Sequence, residues 1–286
     1  VTGSNKGIGF SIVKFLCQQF DGDVYLTARD EKRGKAAVSE LENLLLHPKF
    51  HQLDIDDPDS VRRLRDHLKD NYGGLDVLVN NAGIAYKVTQ RCTKGLVARR
   101  TYAILTQSNF FFSLNIYFRA KPFWLRSIDT LVSIYSSAFR HRARDGWISR
   151  RISRDRTKTV LNRVPVIFRD SKDGANVEKG WGSSAYNISK VGVTVLTFIQ
   201  QREFNGDSRE DLVVNAVHPG FVSTDMSSHR GLLTPDQGKN YSSDRALLSP
   251  YLSDAATYLA LLPPNVESPK GQFVWNDRKV TPWDEE

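Results

Sequence analysis

The sequence predicts an α/β protein built on a parallel sheet with helices on both faces. Three observations carry this. Short apolar runs alternate with helix-like text at least three times before residue 90, the pattern of strands joined by helical crossovers. A glycine-rich turn, Gly3-Ser4-Asn5-Lys6-Gly7-Ile8-Gly9, sits between a strand end and an amphipathic run. A late apolar run, Leu212–Val217, ends in His218-Pro219-Gly220. It has the continuous apolar character of a strand buried on both faces.

The chain begins inside what reads as a strand, so the native N-terminus is expected upstream of Val1. After the glycine turn, Ile12, Val13, Phe15 and Leu16 mark one face of a helix. Backbone N–H groups at such a helix start can hold a pyrophosphate, and glycines let it approach closely. The spacing Gly-x3-Gly-x-Gly is a variant of the usual Gly-x-Gly-x-x-Gly form. The second strand, Asp23–Ala28, ends at Arg29, where a doubly wound fold meets the adenosine ribose. Ala28 stands where an acid would accept ribose hydroxyls. Arg29 and Lys6 instead favour a 2′-phosphate and NADP, while Asp30 keeps NAD open as an alternative.

Helix text from Glu31 to Leu46 leads to a third strand, Phe50–Ile55. A helix from Ser60 to Tyr72 precedes a fourth, Leu75–Asn80, followed by Asn81-Ala82-Gly83. Much later, Tyr186 and Lys190 fall four positions apart in a helix that continues through Val195 and Ile199, which puts the phenol and the ammonium on one face. A fixed cation lowers a phenol's pKa from about 10 toward the working range. The pair can therefore protonate an alkoxide forming from a carbonyl. The Pro219-Gly220 turn and the following Val222, Ser223 and Thr224 suit the nicotinamide end of a cofactor. A helix end at Leu259–Pro264 and a short strand at Gly271–Val274 close the chain.

Composition narrows the remaining classes. Cys17 and Cys92 are the only cysteines, so no disulfide framework is expected, and a reducing, cytoplasmic setting follows. No apolar run reaches the roughly 18 residues of a spanning helix. The net charge of +8 belongs to one segment: residues 87–172 carry 19 Lys or Arg against 4 acids, and the rest of the chain is mildly acidic. No recognition motif accompanies that charge, so neither a nucleic-acid nor a membrane partner is expected. No metal site is called for.

Together these phrases resemble the short-chain dehydrogenase/reductase family, and within it the NADPH-dependent carbonyl reductases of animals. The resemblance covers roughly residues 1–88, 173–238 and 255–280. It implies one Rossmann-type domain over residues 1–286 with about seven parallel strands. It also implies NADPH-dependent reduction of ketones, aldehydes or quinones. Under it, Gly3, Ser4, Asn5, Lys6, Gly7, Ile8 and Gly9 hold the phosphates with Arg29. Asp54 and Ile55 line the adenine site, Asn81, Ala82 and Gly83 flank the cofactor, and Pro219, Gly220, Val222, Ser223 and Thr224 meet the nicotinamide. Tyr186 is the acid, and Lys190 binds the ribose and lowers the tyrosine pKa. The family's substrate-binding serine corresponds to Ser137, with Ser136 as the alternative, at the end of Leu131–Ser137 read as a strand. Its proton-relay asparagine corresponds to Asn109. The long stretch between Ser137 and Tyr186 resembles an insertion that implies a monomer. Across 87–169 and 239–253 the likeness fails, which suggests a retained insert or a shifted frame. A cofactor-binding chain with a defective substrate site is the alternative reading.

Overall fold

The computed structural model describes residues 1–83, 126–130, 175, 178–179, 185–208, 211–231 and 252–281. Helix α1, Gly7–Gln19, buries Ile8, Ile12, Val13 and Leu16, the i, i+4 stripe its sequence shows. It stops at Phe20, whose N–H donates to the Leu16 carbonyl at 2.8 Å. Strand β1 is Tyr25–Ala28, and helix α2 is Glu31–Glu42. The Asp30 carboxylate caps α2 by accepting from the Arg33 N–H at 2.8 Å. Strand β2, Lys49–Gln52, pairs parallel with β1 in the register Leu26–Phe50.

Helix α3, Pro58–Tyr72, carries both terminal signals of a well-punctuated helix. Asp57 accepts from the Asp59 N–H at 2.9 Å and Pro58 opens the first turn. Gly73, at φ +75°, closes it with a left-handed residue whose N–H donates to Lys69 O. Strands β3, Val77–Asn80, β4, Arg126–Thr130, β5, Val213–His218, and β6, Phe273–Trp275, form a four-stranded sheet in that order, every pair parallel. Helix α4 is Ala185–Phe204 and helix α5 is Leu252–Ala260.

The β1–β2 pair and the four-stranded sheet are joined by residues 1–4. Thr2 N donates to Val79 O at 2.9 Å, Thr27 N to Val1 O at 3.3 Å, and Ser4 N to Thr27 O at 2.9 Å. The opening segment, read as a strand from its sequence, is thus bonded to both β1 and β3 although it is not itself a regular strand. Its place in the middle of the sheet puts the glycine turn at the crossover point where doubly wound folds bind ligands.

The pleat divides the core. Leu26, Val79 and Val217 pack with Ile12, Val13 and Leu16 of α1, Leu41 of α2 and Leu259 of α5. Leu78 and Val214 point the other way, against Val61, Leu64 and Leu68 of α3. Each fully buried leucine is worth about 1.5–3 kcal/mol, so these two faces supply much of the drive to fold. Among the described residues, no helix is long and apolar enough to cross a membrane.

Several element bounds differ from the sequence reading. The α2 helix ends at Glu42 rather than Leu46, because Leu45 turns left-handed (φ +60°) and leaves the chain exposed there. The strand expected over Phe50–Ile55 ends at Gln52. Asp54 then folds back, its carboxylate accepting from the Asp56 N–H at 3.1 Å, so Asp54 and Ile55 lie in a turn past the strand. The strand expected over Leu131–Ser137 lies outside the described residues; the strand beside β3 is Arg126–Thr130, which the sequence reading did not pick out. Its single apolar residue gave no local signal. Pairing with two buried strands, a tertiary effect, defines it.

Candidate active site

Among the described residues, the C-terminal ends of the strands bring together the glycine turn, Asn81 to Gly83, Lys190 and Thr224. The glycine turn is held from the β3 side by Thr2, whose hydroxyl accepts from the N–H groups of both Asn81 and Ala82 at 2.9 Å. The Asn81 amide returns the bond, donating to Thr2 O at 2.9 Å and Gly3 O at 3.1 Å. Thr2 escaped the sequence reading, since a threonine in a strand carries no special signal. Ser4 turns its hydroxyl inward, onto Val1 O at 2.8 Å, and receives the Thr27 N–H at 3.1 Å. It fixes the turn, leaving the backbone beyond it free to meet a ligand.

Three glycines in the turn are required by their backbone conformation or by what surrounds them. Gly3, at φ +58°, would place a Cβ 2.9 Å from Ala82 Cα. Gly7 adopts φ +60°, and a Cβ there would stand 3.5 Å from the Thr224 methyl. A Cβ on Gly9 would overlap the Asn81 amide and come within 2.8 Å of Ser4 Cα. The turn is therefore flanked by Asn81 and Ala82 on one side and by Thr224 on the other. Ile8 packs into the core, and Asn5 is half-buried.

Helix α1 starts here with no side-chain cap from Lys6 and no acid in its first turn. Its first N–H groups have no intrahelical acceptor and present a positive pole. The Lys6 side chain is exposed and pairs with Asp225 at 2.5 Å. That ammonium beside Asp225, helped by His229 Nε2 at 3.1 Å, holds the carboxyl below the usual carboxylate range. Arg29 is exposed directly after β1. Asp30, the group that kept NAD open, spends its carboxylate on the α2 cap. An uncapped helix start, close-packed glycines, Lys6 and Arg29 fit a dinucleotide with a pyrophosphate and a 2′-phosphate.

Lys190 lies on α4 and is buried, 8% exposed. Its ammonium comes within 3.7 Å of where a Cβ on Gly83 would stand, so α4 delivers a cation to the end of β3. Tyr186 sits one turn ahead of it in the same helix. The loop after β5 completes the group. Pro219, Gly220 (φ +81°) and Val222 are buried, and Ser223 and Thr224 are half-buried. Gly220 N donates to His218 Nδ1 at 3.0 Å, and the His218 ring stacks on Trp275 with centroids 4.1 Å apart. This stack, spanning β5 and β6, was not anticipated. Ser137, Ser136 and Asn109 lie outside the described residues.

The comparisons agree with this geometry. The family model for short chain dehydrogenase matches residues 1–132. The chain is 42% identical over 289 residues to rat carbonyl reductase (NADPH) 1, covering 99% of this chain and 97% of that protein. It is 40% identical to the human protein of the same name, with the same coverage. Among solved structures, salutaridine reductase from Papaver somniferum superimposes with a TM-score of 0.68 at 23% identity, over 95% of this chain and 97% of that one. That likeness reports the fold, a single Rossmann-like α/β domain. On fold, glycine turn and full-length similarity, the chain belongs to the short-chain dehydrogenase/reductase family.

Proposed function

We propose that this chain is an NADPH-dependent carbonyl reductase, an oxidoreductase that reduces small-molecule carbonyl compounds to alcohols. The observation that carries the reading is Lys190: a buried ammonium brought to Gly83, beside the glycine turn, in a chain similar to carbonyl reductases along nearly its whole length. When bound, NADPH supplies the hydride. The chain's own groups do the rest. The start of α1, with Lys6 and Arg29, binds the phosphates. Asp54 and Ile55 border the adenine, Asn81, Ala82 and Gly83 support the middle of the cofactor, and Pro219 to Thr224 orient its nicotinamide end. Lys190 holds the ribose and keeps a positive charge one helical turn from Tyr186, whose phenol gives its proton to the substrate oxygen. Ser137 polarises the carbonyl, and Asn109 relays the replacement proton.

The reading extends to the whole molecule. Residues 1–286 form one domain, with 87–169 and 239–253 as segments of anomalous sequence. Six described strands and the doubly bonded Val1–Ser4 segment support a seven-stranded parallel sheet. The protein works as a cytoplasmic monomer on a ketone, aldehyde or quinone, without nucleic-acid or membrane partners.

The test is NADPH oxidation by the purified chain across a small quinone panel, run beside a cofactor titration by tryptophan fluorescence. Turnover that vanishes in Tyr186→Phe while NADPH affinity stays within about twofold supports the reading. Cofactor binding without turnover of any carbonyl would replace it with the binding-only alternative.

A further inference from the structure

Asp225 belongs to neither the glycine turn nor the groups assigned to the cofactor, yet it holds the turn's only lysine. The two residues are 219 positions apart in sequence, and their charged atoms are 2.5 Å apart. The carboxylate is not a loosely placed surface group. It projects from a compact turn over Thr224–His229, in which the Thr224 carbonyl accepts from Ser227 N at 3.1 Å and His229 N at 2.9 Å. Ser227 Oγ donates to the same carbonyl and accepts from Thr224 N, both at 3.0 Å. Ser228 and His229 both adopt left-handed backbone, at φ +54° and +56°. Thr224, the base of this turn, packs on Gly7 of the glycine turn. Close approach of the Thr224 side chain and an ion pair thus join the same two segments.

We propose that Asp225 is a positioning residue for Lys6. It holds the ammonium over the glycine turn in competition with the cofactor's 2′-phosphate, and so limits how strongly the chain prefers NADPH to NADH. The inference rests on the reading of Lys6 as a phosphate-binding group. The physical reason is that one ammonium cannot give its full attraction to a fixed carboxylate and to an incoming dianion at once. Whatever Asp225 retains is lost to the phosphate, and NADH, which lacks the phosphate, does not feel the competition. His229, on the other carboxylate oxygen, shares the same acceptor.

Both partners are more than half exposed, so the effect is that of a solvent-screened pair. Asp225→Asn should tighten NADPH binding about two- to fivefold at low salt, leave NADH unchanged, and lose its gain as salt rises. Tryptophan fluorescence titration of both cofactors reads this directly, without turnover. Asp225→Glu should restore wild-type selectivity. In a Lys6→Met background, Asp225→Asn should have no effect on either cofactor. A gain that persists in that background would mean simple repulsion between Asp225 and phosphate, and would overturn the role assigned through Lys6. Weaker NADPH binding in Asp225→Asn, or an equal change for NADH, would also overturn it. If the wild-type chain binds no NADPH, the underlying cofactor reading fails and this inference with it. If wild type binds and the selective gain is missing, only the inference falls.

Discussion

Gly9→Ala should cost this protein stability and cofactor affinity together, and the size of the loss follows from the local geometry. The added methyl would stand 2.8 Å from Ser4 Cα and overlap the Asn81 side-chain amide. Ser4 is backbone in a turn fixed by its own buried hydroxyl, so it cannot yield cheaply. The amide is the part that moves, and it would give up its bonds to Thr2 O and Gly3 O. Two hydrogen bonds at roughly 1 kcal/mol each, with an overpacking cost of about 1–3 kcal/mol, give a loss of about 3–5 kcal/mol. For a domain of this size each kcal/mol moves Tm by roughly 2–4 °C, so Tm should fall by roughly 6–20 °C. NADPH affinity should drop as well, because the displaced amide carries the end of β3. Gly74→Ala is the control: a Cβ there meets nothing within 4 Å, and Tm should move by less than about 2 °C. Thermal unfolding of both variants followed by circular dichroism decides the matter. If the two melt within a degree or two of each other, the stitch between β3 and the glycine turn does not exist as described.

Asp30→Ala should destabilise the chain by about 1 kcal/mol through loss of the α2 cap, with NADH affinity unchanged; a marked fall in NADH affinity would show that the carboxylate reaches a ribose instead. Arg29→Ala should weaken NADPH binding by about tenfold while sparing NADH, and equal losses for both cofactors would remove Arg29 from the phosphate site. His51 provides a pH test. Burial lowers its pKa most, and the neighbouring His67 and Arg63 charges add to this against a bond to Gln52 O. The unfolded chain therefore takes up a proton first. Stability on this account is full above about pH 6.5 and declines as pH falls toward the lowered folded value. Denaturant unfolding across that range should show the decline in wild type and a flatter profile in His51→Asn; parallel profiles would contradict it.

How far the sequence reveals the fold depends on whether the deciding force is local. Helices α1 and α3 were readable because apolar spacing, an acidic cap, Pro58 and Gly73 act within a few residues of the backbone they shape. Strands β3 and β5 were readable because burial on both faces demands unbroken apolar text. Strand β4 was not. Arg126–Thr130 is chosen by the two neighbours it bonds, and its one apolar residue carries no local strand signal. Leu44 and Leu45 misled: they extend a helical pattern that the backbone abandons at Glu42.

The site divides along the same line. Lys190 and the glycines announced themselves, because the chemistry of a cofactor constrains residue type at short spacing. What positions them did not. Thr2 receives the ends of β3 from nearly 80 residues away. Asp225 reaches Lys6 across 219 residues. Trp275 stacks on the ring of His218, which in turn accepts from Gly220 N. Each is an ordinary residue whose role exists only once the sheet has assembled. A substitution at Thr2 or Trp275 should therefore disturb cofactor binding as surely as one in the glycine turn, although neither position carries a motif. Thr2→Val keeps the shape and removes an acceptor; the Asn81 N–H still has Val79 O at 3.1 Å, while the Ala82 N–H loses its Thr2 bond, a loss of about 1–3 kcal/mol. A Thr2→Val chain with unchanged Tm and unchanged NADPH affinity would mean that the hydroxyl is incidental and that the glycine turn holds its own conformation.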